Sequence, residues 1–234
     1  MSMLDELNSI SQANAAPGIV VAAGSRCVVE NNDWGAAGVP HKQSIHSRLS
    51  DGSPLCGWQW EYPELPEGRV LAFPEVIFGK KPWASTSTNP LLPKQLKDCE
   101  NLTVEFGIRS EATGVYNTAL DMWLTRTSKA EPEARVELMV WLQSQGDCHP
   151  AGDLVGDEPL YQIWCGMTAE GVEILTYVSK ALFTDGIIPL GKMLRDAWDR
   201  YYIPRDYYLA SVELGNEIWC DKGRAVVDRF DVRP

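Results

Sequence analysis

Val136, Leu138, Val140 and Leu142 alternate without a break with Glu137, Met139 and Trp141. Successive side chains of a β-strand point to opposite faces, so this stretch makes a strand with one purely aliphatic face. A helix would scatter both sets around its circumference. The aliphatic face has to pack between two sheets. The other face carries a carboxylate, a thioether and an indole in a row. The stretch 120–124, LDMWL, repeats the arrangement, with Asp121 and Trp123 opposite Leu120, Met122 and Leu124. In 213–219, ELGNEIW, the carboxylates Glu213 and Glu217 share a face with Gly215 and Trp219. Three predicted strands thus each present an acid beside a tryptophan, on the side away from their aliphatic residues.

The rest of the chain has the punctuation of an antiparallel sandwich or barrel. Gly, Pro, Asn or Asp clusters separate short β-branched or aromatic runs at 19–22, 27–30, 70–73, 102–109, 118–125, 135–142, 160–165, 172–178 and 207–214. One segment departs from this. In 189–202, PLGKMLRDAWDRYY, the residues Leu190, Met193, Leu194, Ala197 and Trp198 fall at helical spacing, which predicts a single α-helix. Length suits one domain, since 234 residues give a full hydrophobic core and many all-β sandwiches of this size are undivided. Residues 1–16 are polar and small and read as a loosely packed, flexible lead-in. Residues 17–234 read as one β-sandwich domain. No repeat, linker or low-complexity tract interrupts them.

Charge and motif content narrow the function. A net charge of −11 argues against a nucleic-acid partner, whose binders carry basic patches. No apolar run approaches the length needed to span a bilayer. The start of the chain has acidic residues and no apolar core of a signal peptide. The six cysteines (Cys27, Cys56, Cys99, Cys148, Cys165, Cys220) form no C-x-x-C pair, and His41, His46 and His149 are not at zinc-ligand spacing from them. Buried thiols and one to three disulfides both remain open. Nucleophile-elbow, P-loop, dinucleotide and H-E-x-x-H motifs are absent.

An alternating strand usually just has one solvated face, and any single acid on it is ordinarily solvent-facing. Solvated faces favour Lys, Thr, Ser and Glu, however, and a stripe of Trp, Met and Trp needs a reason. Aromatic faces stack on sugar rings. An acid beside such a platform suits glycoside cleavage, in which retaining enzymes set a nucleophilic carboxylate and a proton-donating carboxylic acid about 5 to 5.5 Å apart. Adjacent antiparallel strands can supply two such groups. Trp58 and Trp60 fit sandwich core better than cleft. Glu105, Glu173 and Glu213 read as solvated strand positions, and Glu75 is undecided.

Five stretches, taken in order, resemble glycoside hydrolase family 12, the small jelly-roll endoglucanases and xyloglucanases. ENNDWGA (30–36) is similar to the family's N-N-x-W-G strand, and FPEVIFGKKPW (73–83) to its aromatic-proline and Lys-Pro-Trp segment. YNTALDMWLT (116–125) is similar to its asparagine-to-aspartate strand. VELMVWL (136–142) matches its nucleophile strand almost residue for residue, and LGNEIW (214–219) stands where the family has a G-T-E acid/base strand. The likeness runs from about residue 19 to 233, and it departs from the family pattern at Asn216, where a threonine is usual.

The resemblance implies a single-domain β-jelly-roll with a concave substrate cleft. It implies Glu137 as nucleophile, Glu217 as acid/base and Asp121 as a neighbour tuning the nucleophile. Asn32, Trp34, Asn117, Met139, Trp141 and Pro150 would contact substrate, with Trp34 as a stacking platform. The implied activity is retaining hydrolysis of internal β-1,4 bonds of a glucan. A xyloglucan-specific enzyme or transglycosylase is the alternative within the fold, and a non-catalytic carbohydrate-binding module the alternative outside it. No metal or organic cofactor is implied. The expected partner is a β-1,4-glucan polysaccharide, with neither nucleic acid nor membrane, the protein acting as an extracellular monomer.

Overall fold

The alternating stretches pair into two sheets laid face to face. A computed structural model describes residues 2–24, 26–48, 54–65, 68–130, 134–201 and 203–234. In chain order the strands are β1 (Val20–Ala23), β2 (Cys27–Glu30), β3 (Lys42–Arg48), β4 (Leu55–Tyr62), β5 (Glu75–Gly79), β6 (Lys94–Gln95), β7 (Thr103–Ala112), β8 (Tyr116–Thr125), β9 (Val136–Gln145), β10 (Asp153–Asp157), β11 (Tyr161–Met167), β12 (Glu173–Ser179), β13 (Asp185–Ile188), β14 (Tyr208–Gly215) and β15 (Asp221–Arg233). The inner sheet runs β1-β2-β5-β14-β8-β9-β12-β11-β10, with β6 hydrogen-bonded to one end of β14. The outer sheet runs β13-β7-β15-β4-β3. All pairings are antiparallel except β9 with β12. This is the jelly-roll sandwich the sequence predicted.

The aliphatic faces lie where alternation put them. Val136, Leu138, Val140 and Leu142, with Leu120, Met122 and Leu124, are buried in the core between the sheets. The outer sheet contributes Trp58, Phe106 and Phe230, all fully buried, and Trp60 joins them. Trp58 and Trp60 are therefore core residues. Burying each such large side chain contributes about 1.5–3 kcal/mol. The run at 70–73 does not form a named strand. Ala72 makes only an isolated bridge to Ile218, and Leu71 N donates to Ile218 O.

Two helices flank the sandwich where the sequence reading gave one. The predicted helix is α2 (Leu190–Tyr201), which buries Leu190, Met193, Leu194, Ala197 and Trp198. The other, α1 (Met3–Ile10), occupies the segment read as a loose lead-in. Ser2 caps it: its Oγ accepts from Asp5 N, and the Asp5 carboxylate accepts from Ser2 N, a reciprocal arrangement whose loss costs about 1 kcal/mol. Met3, Leu7 and Ile10 lie one turn apart and pack on Val226 and Leu55 of the outer sheet. Gly57 permits this approach, because a Cβ there would collide with a Leu7 methyl and with Ala225 O. All six cysteines are free thiols. Among the described residues no helix is long and apolar enough to cross a membrane.

Candidate active site

The side of the inner sheet turned away from the core collects the acids. Residues opposite each other in register share a face. Glu137 on β9 is opposite Trp123 on β8, and Trp123 is opposite Ser211 on β14. In the next row Met139, Asp121 and Glu213 stand side by side, with Ile77 of β5 beyond them. The row after that holds Trp141, Ala119, Gly215 and Glu75, and Glu75 is in turn opposite Glu30 of β2. Adjacent strands thus gather Glu30, Glu75, Glu213, Asp121 and Glu137 on one surface.

Glu217 follows the end of β14 and is fastened to the start of β8. Asn117 N donates to Glu217 O at 3.0 Å, and Glu217 N donates to Asn117 Oδ1 at 3.1 Å. Asn117 Nδ2 also donates to Glu217 Oε2. The preceding residue, Asn216, is fully buried and ties the two sheets together. Its Oδ1 accepts from the Trp58 indole at 2.8 Å, and its Nδ2 donates to Thr118 Oγ1 at 2.8 Å and Asn117 O at 3.0 Å. The asparagine that replaces the usual threonine is thus a fully used polar joint beneath Glu217.

Low dielectric and mutual repulsion raise the proton affinity of the buried acids here. Burial pushes Glu217 up to about 7, opposed by the Asn117 hydrogen bond. Burial pushes Glu137 up to about 8, with the charges of Glu217 and Glu213 adding to it. Asp121 lies well above the usual carboxylate range through burial and then through Glu137, Glu213 and Glu217. Lys81 is the cation in contact with the cluster, 2.6 Å from Glu75 Oε1 and 3.0 Å from Glu30 Oε2. Burial works against its ammonium, but Glu75, Glu213 and Glu30 outweigh burial and hold it charged. Glu137 and Glu217 keep partly exposed edges, whereas Glu75, Asp121 and Glu213 are buried.

The other candidate residues lie around this surface. Asn117 is buried in its clamp on Glu217. Met139 and Trp141 form the floor together with Phe73 and Ala119, almost covered by Cys148, Val178 and Trp219. The Trp141 and Trp219 rings meet edge to face, 6.2 Å between centroids. Trp34 begins a 3-10 turn just past β2 and is 67% exposed. Asn32 holds that turn, its Oδ1 accepting from Trp34 N at 3.3 Å and its Nδ2 reaching toward Glu75. Pro150 is half-buried in the loop before β10.

Glu213 corrects the sequence reading. It is 1% exposed and belongs to the acid cluster, because β14 is flanked on both sides by strands and its outward face is the crowded one. Glu105 pairs with Arg233 at the surface and Glu173 is exposed. Glu75 is fully buried against Lys81. Lys81 and Trp83 also belong to this face, which neither residue alone declares. Trp83 is half-exposed, meets Trp123 edge to face at 6.0 Å and lies under the Lys81 ammonium. The K-K-P-W sequence directly after a strand was the available signal. A cavity of about 930 Å³ lies on the outer sheet, lined in part by Lys42, Gln59, Glu61 and Arg224. None of the buried acids borders it.

A sandwich with coupled, partly exposed carboxyls among indoles on one sheet face has the makings of a two-carboxylate glycoside hydrolase. Comparison with known proteins gives the family. The model of glycosyl hydrolase family 12 matches residues 25–233, and the chain belongs to that family; it is a glycoside hydrolase. Endoglucanase S of Pectobacterium parmentieri is 28% identical over 223 residues, which cover 86% of this chain and 79% of that protein. The fold is shared with a family 12 xyloglucanase from Bacillus licheniformis, solved in complex with ligand, at a TM-score of 0.86 and 23% identity over 95% of this chain and 99% of that one. It is also shared with an endoglucanase from Rhodothermus marinus, at 0.81 and 23% over 95% and 98%.

Proposed function

We propose that the protein is a retaining endo-β-1,4-glucanase. The observation that carries this reading is the placement of Glu137 and Glu217 as two partly exposed carboxyls on one aromatic-lined sheet face, with burial raising both and the charge of Glu217 adding to the rise of Glu137. A double displacement needs one carboxyl of such a pair ionised and the other protonated. Glu137, from the alternating strand β9, attacks the anomeric carbon. Glu217 gives its proton to the leaving oxygen and then takes one from the water that hydrolyses the glycosyl-enzyme. This division follows their strand positions, not the order in which the free pair loses protons, since those macroscopic values belong to the pair. Asp121 tunes Glu137.

Trp34 and Asn32 bind the chain upstream of the cleavage point, and Asn117, Met139, Trp141 and Pro150 line the remainder. The substrate is an internal stretch of β-1,4-glucan. The protein acts outside the cell, as a monomer, with residues 17–234 as one catalytic domain and with no cofactor. A binding module would need the aromatics but not two coupled acids.

The test is to incubate the protein with carboxymethyl-cellulose, mixed-linkage glucan and xyloglucan. Viscosity reports internal cleavage, and proton NMR reports the anomer first released. A rapid viscosity loss with initial β-anomer is expected. Initial α-anomer, or no cleavage of any of the three, overturns the reading. Preferential cleavage of xyloglucan would select the xyloglucan-specific alternative.

A further inference from the structure

Asp121 and Glu213 are directly opposite each other on neighbouring antiparallel strands, and both are buried. Cross-strand partners have Cβ atoms about 4.5–5.5 Å apart, and like charges in such a pair repel. Asp121 Oδ1 and Glu213 Oε2 have no hydrogen-bond partner among the described residues. Two ionised carboxylates so placed, each with a dry, unpartnered oxygen, would be costly. One of the two has to hold a proton, and their surroundings decide which.

Burial raises Glu213 above its ordinary value too, but Lys81 and a Ser211 hydrogen bond oppose it, so Glu213 is the better-supported anion of the two. Its Oε1 accepts from Ser211 Oγ at 2.8 Å. The ammonium of Lys81 also acts on it, reaching over from Glu75 and Glu30. Asp121 has no equivalent support. Around it stand Glu213 and Glu217 from β14 and its end and Glu137 from β9, with Lys81 the opposing charge among the described residues. Beyond Glu213, β5 and β2 contribute Glu75 and Glu30, which are neutralised by Lys81 first.

We infer that Glu213 is a positioning residue for catalysis: an anion held by Ser211 and Lys81 that keeps a proton on Asp121, so that Asp121 faces Glu137 as a neutral carboxylic acid. A neutral Asp121 can donate a hydrogen bond to the Glu137 carboxylate and favour its ionised, attacking form. An ionised Asp121 could only repel it. Glu213 thereby sets how far up in pH Asp121 stays neutral, without touching substrate. The inference rests on the two-carboxylate reading of Glu137 and Glu217.

Glu213→Gln tests it, because the amide oxygen can still accept from Ser211 while the charge is removed. In protein labelled with carbon-13 at the aspartate carboxyls, with the Asp121 signal assigned through Asp121→Asn, the Asp121 midpoint should fall by about half a pH unit or more. The high-pH side of kcat/KM should draw in to lower pH with it, since Asp121 then loses its proton sooner. Ser211→Ala removes a support of the Glu213 anion without removing a charge; it should lower the Asp121 midpoint in the same direction, and it decides the matter if the Glu213→Gln variant does not fold. A folded Glu213→Gln variant whose Asp121 titration and basic limb superimpose on those of the parent overturns the inference. If the parent cleaves no glucan while the Asp121 midpoint still moves, the proposed activity falls and the Glu213–Asp121 link stands.

Discussion

Asn117 grips Glu217 at three points: backbone to backbone, side-chain oxygen to backbone N–H, and side-chain amide to carboxylate. The first two fix where Glu217 leaves the end of β14, and the third fixes its rotamer and favours its anion. Burial and Asn117 therefore pull the Glu217 proton affinity in opposite directions. Asn117→Ala removes the opposing contribution. The basic limb of kcat/KM should then shift to higher pH, and kcat should fall by about 10- to 100-fold as the carboxyl loses its orientation. A pH–rate series on the variant reads both effects. A limb left in place would mean that Asn117 does not act through Glu217.

Asn216 has a structural duty next to a chemical one. Its amide satisfies the Trp58 indole and Thr118 Oγ1 at once, in a region without exposure. Asn216→Ala leaves those groups unpaired and should cost about 1–3 kcal/mol of stability. Urea denaturation measures the loss. A change below about 0.5 kcal/mol would show that the joint is dispensable.

Strands with clean alternation were legible, and those with a mixed pattern were not. VELMVWL and LDMWL declare both faces by themselves. β15 does not: Lys222, Arg224 and Arg229 dilute Ala225 and Val227, and a register shift between Val227 and Arg229 breaks the period. The α1 helix had its signals in Ser2 and Asp5 at the cap and in Met3, Leu7 and Ile10 along one face. An eight-residue helix is marginal by itself, and its stability comes from the outer sheet beneath it. In the site, Glu137, Asp121 and Glu217 stood out because each lies within four residues of a tryptophan in an alternating stretch. Glu213, Glu75 and Lys81 did not, because an acid on a strand looks solvated until the neighbouring strands are placed beside it. Their burial is a property of register across β2, β5, β14 and β8, which no single stretch contains.

Trp34 should be a binding residue and not a structural one. It is 67% exposed, so removing its ring creates no core cavity. Trp34→Ala should leave the thermal midpoint unchanged while weakening binding of long glucan chains by about 1–3 kcal/mol. Affinity electrophoresis in soluble glucan compares the two proteins directly. Equal retardation would remove Trp34 from the substrate path.

The raised carboxyls also make stability depend on pH. Glu137 and Glu217 ordinarily titrate near 4.5 but hold their protons to about 8 and about 7 in the fold. Below about 4.5 both states are protonated and nothing is lost. Between about 4.5 and 8 the fold binds more protons than the unfolded chain, so these groups lower stability as pH rises through that window. Glu217→Gln should therefore melt higher than the parent at about pH 8, by on the order of 1–3 kcal/mol of stability, and like the parent at about pH 4. Calorimetry at the two pH values checks this. A constant offset between the proteins would show that Glu217 is not strained by its site.

The division of labour between Glu137 and Glu217 predicts different failures. Without Glu217 as acid, a sugar with a poor leaving group cannot depart, but an activated aryl cellobioside still can. Glu217→Gln should thus slow cleavage of unactivated glucan by about 100- to 10,000-fold and flatten the basic limb of the pH profile. It should still form glycosyl-enzyme from the aryl substrate. Because the introduced amide cannot activate water, the intermediate accumulates, and azide should intercept it as the β-glycosyl azide. Glu137→Gln removes the attacking atom and should form no glycosyl-enzyme from either substrate. Mass spectrometry of the trapped protein and NMR of the azide product distinguish the two. An α-glycosyl azide from the Glu217→Gln variant would place the attack on the other face of the sugar and end the double-displacement reading. A Glu217→Gln variant that hydrolyses unactivated glucan normally would assign the proton donor to another residue.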